Sequence, residues 1–217
     1  MSIEREWIGG LPPRMKTLPR DKRGFPVPAF VEWFDGEPNF AVMNPDHMRR
    51  CIVAHSCWIC GDQLGSYKAF VIGPMCVVNR VTSEPPSHRD CATFAALNCP
   101  FLSRPMAKRA DLSHIDGKAS AGIMIERNPG VSAVWITKGF KVRREGQGFL
   151  FNPGDPVDLE FYAQGRRATR AEVDASVESG LPILREYVRT PEDATQFDIY
   201  LKRYARVMET FFKETVQ

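Results

Sequence analysis

The sequence predicts an α+β protein organised around one zinc site, and three observations carry the prediction. Two candidate ligand pairs, Cys57-Trp-Ile-Cys60 and His88-Arg-Asp-Cys91, are joined by a spacer of hairpin length. From about residue 122 to 163 short strand-like runs alternate with turn residues, and capped amphipathic helices close the chain. The expected organisation is an extended basic arm over 1–28, a zinc unit over 29–110, an antiparallel β-meander over 111–165, and C-terminal helices over 166–217. The helices could share one compact domain with 29–165.

The chain has 217 residues, enough to bury a sizeable core, and its 43% hydrophobic and 25% charged residues are ordinary for a globular protein. No apolar run approaches the roughly 18 residues of a membrane span, and MSIEREWIGG lacks an apolar signal core, so a cytoplasmic protein with no membrane partner is expected. A net charge of +3 permits nucleic-acid contact without arguing for it. Five of the six cysteines (Cys57, Cys60, Cys76, Cys91 and Cys99) fall between residues 57 and 99, which points to metal before disulfides.

Taken in order, LPPRMKTLPRDKRGFPVP reads as an arm with no core of its own. PAFVEWF and NFAVM flank an Asp35-Gly36 turn and form a hairpin. Asn44, Pro45 and Asp46 start a helix that runs to about Ala54. His47, Cys51 and His55 share a stripe of that helix at i, i+4 and i+8. A second metal is one reading of them; the other turns Cys51 to the core with both histidines at its edge.

In the metal segment, Cys57 and Cys60 occupy a tight turn relieved by Gly61. KAFVI and CVVNRV flank Gly73-Pro74 and predict a hairpin over 67–80, with Cys76 a buried, inert strand thiol. Ser87 reads as an N-cap, which puts His88 and Cys91 in the first turn of a helix, where thiolate charge is favoured. Downstream, SRPMAKRADLSHIDGKASAG is a connector. IMIER, VSAVWIT, FKVRR, GFLFN and VDLEFYA follow as strands of a meander. Thr169 and Glu172 form a capping box, and Gly180 and Pro182 interrupt the helix behind it, which LPILREYV resumes. A last helix begins at Thr190-Pro191 and carries Phe197, Leu201, Tyr204, Met208 and Phe211 or Phe212 on a core-facing stripe.

Knuckle, hairpin and ligand-bearing helix together resemble the treble-clef zinc finger over residues 57–98. Beyond that module the chain resembles a family of uncharacterised proteins of bacteria and their phages. The phrases that carry this likeness are CWICG, AFVIGPMCVVNR, EPPSHRDCA, CPFLSRP and ATRAEVDASVESGLP. The resemblance supports the metal segment and implies no particular activity.

Four protein ligands (Cys57, Cys60, His88 and Cys91) close a Zn2+ site, and closed sites are structural. An iron–sulfur cluster on Cys57, Cys60, Cys91 and Cys99 is the alternative cofactor. The alternative function is an enzyme, an HNH-like nuclease or other hydrolase, or an iron–sulfur redox protein; an HNH-type nuclease needs further histidines, and none lies in 67–80. The deaminase signature fails because His55-Ser-Cys57 lacks the glutamate, and no phosphate-binding loop is present. Basic residues recur at Arg14, Lys16, Arg20, Lys22 and Arg23, at Arg104, Lys108 and Arg109, and at Arg166, Arg167 and Arg170; Trp58, Tyr67 and Phe70 lie near the knuckle. The expected function is therefore a zinc-stabilised protein that binds a macromolecule. DNA or RNA held through the basic segments stands slightly ahead of a protein partner held through the C-terminal helix or a strand edge. Asp155, Asp158 and Glu160 are the one carboxylate group of interest on the strand edge.

Overall fold

Asp35 and Gly36 both take positive φ (49° and 81°), the backbone of a tight hairpin turn, and join Val31–Phe34 (β1) to Glu37–Met43 (β2) in antiparallel register. The structure, a computed structural model, describes residues 6–104 and 128–212. Asn44 then caps Pro45–Val53 (α1), its side chain accepting the His47 amide at 2.8 Å.

Lys68–Ile72 (β3) forms as expected, but the hairpin over 67–80 does not. Pro74–Asn79 is a helix (α2), so Cys76 is a helical residue. Gly73 caps it, Pro74 supplies the fixed φ of a first helical position, and left-handed Arg80 (φ 55°) ends it. A six-residue apolar run suits helix or strand equally, and burial of Pro74, Met75, Val77 and Val78 decides for the helix. Two further helices follow, Arg89–Asn98 (α3) and Pro100–Ser103 (α4). The IMIER run and nearly all of the connector lie outside the described residues.

The remaining strands are Ser132–Thr137 (β4), Phe140–Glu145 (β5), Gly148–Pro153 (β6), Pro156–Ala163 (β7) and Arg166–Arg167 (β8). They do not form a meander. The main sheet runs β3-β4-β7-β8, all antiparallel, while β5 and β6 pair with each other as a separate two-stranded ribbon that Phe151 bridges to Thr82. The reason is burial: every residue of β4 is buried, so its neighbours must be apolar strands covered on both faces. The β5 sequence FKVRRE cannot meet that demand and folds out as a ribbon.

Alternation sorts the sheet into two faces. Phe70, Ile72, Ala133, Trp135, Leu159 and Phe161 enter the large core with α2, Arg170–Arg185 (α5) and Pro191–Phe211 (α6). On the other face Ala69, Val134, Ile136 and Tyr162 meet Ala92 and Ala96 of α3, small residues that let the helix lie close. The capping boxes at Thr169–Glu172 and Thr190–Asp193 are both present, and the stripe of α6 faces the core through Phe197, Val207 and Met208. Gly180 and Pro182 do not interrupt α5, which runs unbroken for 16 residues. Val173, Val177 and Gly180 are buried along it, and that packing outweighs the poor helix propensity of its last turns. Among the described residues no helix is long and apolar enough to cross a membrane.

The N-terminal segment is not an arm without a core. Residues 6–28 fold over the metal unit: Met15, in a 3-10 turn over Pro13–Met15, is buried with Cys57, Ile59, Leu64, Cys91 and Phe94. Trp7 meets the rings of Phe25 and Phe94 at 5.4 and 5.3 Å, and Leu11 and Leu18 pack beside them. A unit with one short helix buries too little alone, and these scattered apolar side chains complete it.

Candidate metal centre

The ligating atoms of Cys57, Cys60, His88 and Cys91 all lie within 4.8 Å of one another. Each is delivered by local backbone chemistry. The chain turns back at Gly61 (φ 86°), whose amide bonds the Cys57 carbonyl at 3.0 Å, and the Cys60 amide points at Cys57 Sγ at 3.4 Å. The second pair is set by a two-bond bridge between Ala69 and Ser87, which registers 87–88 against β3. Ser87 is not the cap; His88 is itself the N-cap of α3, with Cys91 at the third helical position. That places the Cys91 sulfur at the positive end of the helix. The His88 amide also donates to Cys57 Sγ at 3.4 Å.

The donor set fits a tetrahedral ion. Bonds of about 2.3 Å to sulfur and about 2.0–2.1 Å to nitrogen imply edges of about 3.6–3.8 Å, and Cys60 Sγ lies 3.4 Å from His88 Nδ1. His88 is oriented by its other nitrogen: Nε2 lies 3.1 Å from the Gln63 carbonyl, to which it donates when Nδ1 faces a metal. The Arg14 guanidinium lies 3.4 Å from that nitrogen and pairs with Asp90 at 3.3 Å, placing a cation beside a thiolate-rich site.

Electrostatics mark the same cluster. Burial pushes the Cys57 thiol up, but hydrogen bonds from Cys60, Cys91 and His88 outweigh it and hold Cys57 below its ordinary value. Cys60, donating to Cys57, is pushed up to about 12, and Cys91 is raised by its bonds to Cys57 and Cys60. Three sulfurs thus compete for one negative charge, the condition a divalent cation relieves.

A residue whose role sequence spacing did not reveal supports the knuckle from behind. His47 is fully buried, and its Nε2 lies 3.1 Å from both the Cys57 and the Trp58 carbonyls. Two acceptors there make Nε2 the protonated nitrogen, and Arg50 donates to Nδ1 at 3.3 Å. Burial lowers the His47 pKa, in keeping with a neutral ring. The stripe of His47, Cys51 and His55 is not a second cluster. Cys51 is buried, while His55 lies past the end of α1, exposed, with left-handed backbone.

Cys99 stands apart from the four candidate ligands. It is the C-cap of α3, eight residues beyond Cys91, or about 12 Å along the axis at about 1.5 Å per residue. Burial raises its thiol pKa. The carboxylates on β7 are bound by arginines: Asp158 and Glu160 hold Arg89 at 2.5 and 2.9 Å, and Glu160 also takes Arg167 at 3.2 Å. Arg89 is the first residue of α3, so this network ties the helix end that carries His88 to the sheet.

Of the basic positions singled out, Lys22, Arg23, Arg166 and Arg170 pair with Glu37, Asp21, Glu172 and Asp174. Lys108 and Arg109 lie outside the described residues. Trp58 and Phe70 are buried, Trp58 stacking on Phe30 at 4.7 Å, whereas Tyr67 is exposed. Trp33, Phe34 and Phe40 of the β1–β2 hairpin are exposed as well. No protein-family model, curated protein or solved structure matches the chain.

Proposed function

We propose that this is a zinc-stabilised protein that binds a macromolecule, nucleic acid ahead of protein, with Zn2+ held by Cys57, Cys60, His88 and Cys91. The observation that carries the reading is the closed donor set: four protein ligands within 4.8 Å leave a tetrahedral ion no open position for water. Such a site holds structure together. Here it would pin the knuckle to the start of α3 beneath the folded N-terminal segment. Zinc is preferred to an iron–sulfur cluster because His88 turns Nδ1 to the sulfurs while Cys99 sits at the far end of α3. We read the unit as treble-clef-like in its knuckle and ligand helix, with β3 and α2 in place of the hairpin. The nuclease alternative draws no support from that segment, which carries no histidine.

The preference for nucleic acid rests on Lys138, Lys141 and Arg203, which line one cleft and have no carboxylate partner among the described residues. The test is fluorescence anisotropy with labelled single-stranded and duplex oligonucleotides, on metal-loaded and chelated protein. Salt-dependent binding that chelation abolishes is expected. Absence of binding to every oligonucleotide at low salt would leave nucleic acid out of the function.

A further inference from the structure

An open cleft of about 730 Å³ lies where the β4–β5 and β6–β7 turns meet the end of α2 and the middle of α6. Its lining includes Arg80, Lys138, Lys141, Asn152, Tyr200 and Arg203, against one carboxylate, Asp155. Arg80 takes that carboxylate at 2.5 Å and lays its guanidinium over the Trp135 ring at 5.3 Å. Lys138, Lys141 and Arg203 have no carboxylate partner among the described residues. Three uncompensated cations on three different elements, facing one concavity, form a field that attracts anions.

The floor is held stiffly. Gly154 donates to the Gly139 carbonyl at 2.9 Å, and a Cβ at Gly154 would meet that oxygen at 2.7 Å, so the two turns touch backbone to backbone. Trp135 Nε1 donates to the Gly154 carbonyl at 2.9 Å, and Asn152 donates to the Arg80 carbonyl at 3.2 Å. Lys141 and Arg143 fall on one face of β5 at strand period and both are exposed, so the cationic row continues out of the cleft, with Arg143 loosely paired to Glu145 at 3.9 Å. A cleft open to solvent, with a cationic track leading from it, suits an extended polyanion better than an enclosed small acid. Tyr200 adds an aromatic wall against which an unpaired base can lie.

We propose that this cleft, continued along β5, is a groove for the phosphate backbone of single-stranded nucleic acid. Lys138, Lys141 and Arg203 contact phosphates, and Asn152 and Tyr200 line the wall. The assignment rests on the nucleic-acid reading above and gives it a location.

The experiment is an anisotropy titration of a fluorescein-labelled single-stranded 20-mer with the full, zinc-loaded chain at several salt concentrations. Lys141→Glu/Arg203→Glu is expected to weaken binding about tenfold or more and to flatten the salt slope, which carries about 0.7 per phosphate contact on single strands. Zinc content and melting temperature should stay as in the parent. Arg49→Glu, on α1 and outside the cleft lining, is expected to bind as the parent does. A second measurement uses the parent alone: the oligonucleotide should protect Lys138 and Lys141, but not Lys22, which pairs with Glu37 on the β1–β2 hairpin outside the cleft lining, from acetylation read by mass spectrometry. Parent binding that the double variant retains, with both lysines unprotected, overturns the cleft and leaves the nucleic-acid reading standing. No binding by the parent overturns both.

Discussion

His47 Nε2 and the Cys57 carbonyl oxygen lie 3.1 Å apart, so a fully buried imidazole holds the backbone of a candidate metal ligand. The same N–H reaches the Trp58 carbonyl at 3.1 Å, which fixes two successive peptides of the knuckle. Replacing the ring leaves two carbonyls unpaired away from water. His47→Leu is expected to cost about 1–3 kcal/mol in urea denaturation and to weaken zinc retention about 10- to 100-fold in competition with a chelating dye. His55→Asn, at an exposed position whose left-handed backbone asparagine tolerates, removes an edge contact with the Phe140 ring at 5.8 Å and should leave zinc retention as in the parent.

Metal removal should release the N-terminal segment first. Met15, Leu11 and Leu18 pack on Cys57 and Cys91, and Arg14 faces His88 and Asp90, so their seat depends on the ligands staying together. Chelation is expected to expose Lys16, Arg20, Lys22 and Arg23 to trypsin well before the β3-β4-β7 sheet is cut. Limited proteolysis with and without chelator checks this. Zinc affinity should also fall as pH drops below about 6, because protons compete for the thiolates and the imidazole.

On the alkaline side the sign follows from Tyr204. Its hydroxyl is buried with no hydrogen-bond partner among the described residues, and burial pushes its pKa up to about 12 from an ordinary 10. Between those values the unfolded chain loses this proton and the folded chain keeps it, so the folded state is disfavoured as pH rises. Tyr204→Phe removes both the unpaired hydroxyl and that titration. It is expected to hold or raise stability by up to about 1 kcal/mol at pH 7 and to widen the gap over the parent at pH 11, read by chemical denaturation.

The capping box of α5 gives the opposite sign in acid. Arg166 hydrogen bonds and the Thr169 amide, working against partial burial, hold Glu172 down to about 2 from an ordinary 4.5. Its contribution is complete above about pH 4.5 and is lost as pH falls toward 2. Thr169→Ala should cost about 0.5–2 kcal/mol at pH 7 in urea denaturation.

The close approach of two turns supplies a steric test. A methyl group at Gly154 would sit 2.7 Å from the Gly139 carbonyl oxygen, and neither backbone can yield without moving a strand end. Gly154→Ala is expected to lower stability by about 1–3 kcal/mol, measured by thermal unfolding.

What could be read from the residues was local. The ligand pairs, the Asp35-Gly36 turn, the Asn44 cap and the boxes at Thr169 and Thr190 each depend on neighbours within a few positions. Strand pairing does not. β3 finds its partner in β4, more than 60 residues on, and nothing within KAFVI distinguishes that partner from the run that follows it. The same limit hid the seat of Trp7 on Phe25 and Phe94 and the work of His47, whose acceptors lie 10 and 11 residues away across a turn. Lys138, Lys141 and Arg203 are spread over residues 138–203 of the sequence, and only the fold brings them to one cleft, while Arg23, Arg166 and Arg170 are paired elsewhere.

The most direct test of the central claim is elemental analysis of untagged protein purified without added metal, read beside its visible absorption spectrum. One zinc per chain and no colour are the predicted results, with Cys91→Ser losing both the metal and the fold of the N-terminal segment. Iron with broad visible absorbance, or a fully folded chain that holds no metal at all, would contradict a structural zinc centre at Cys57, Cys60, His88 and Cys91.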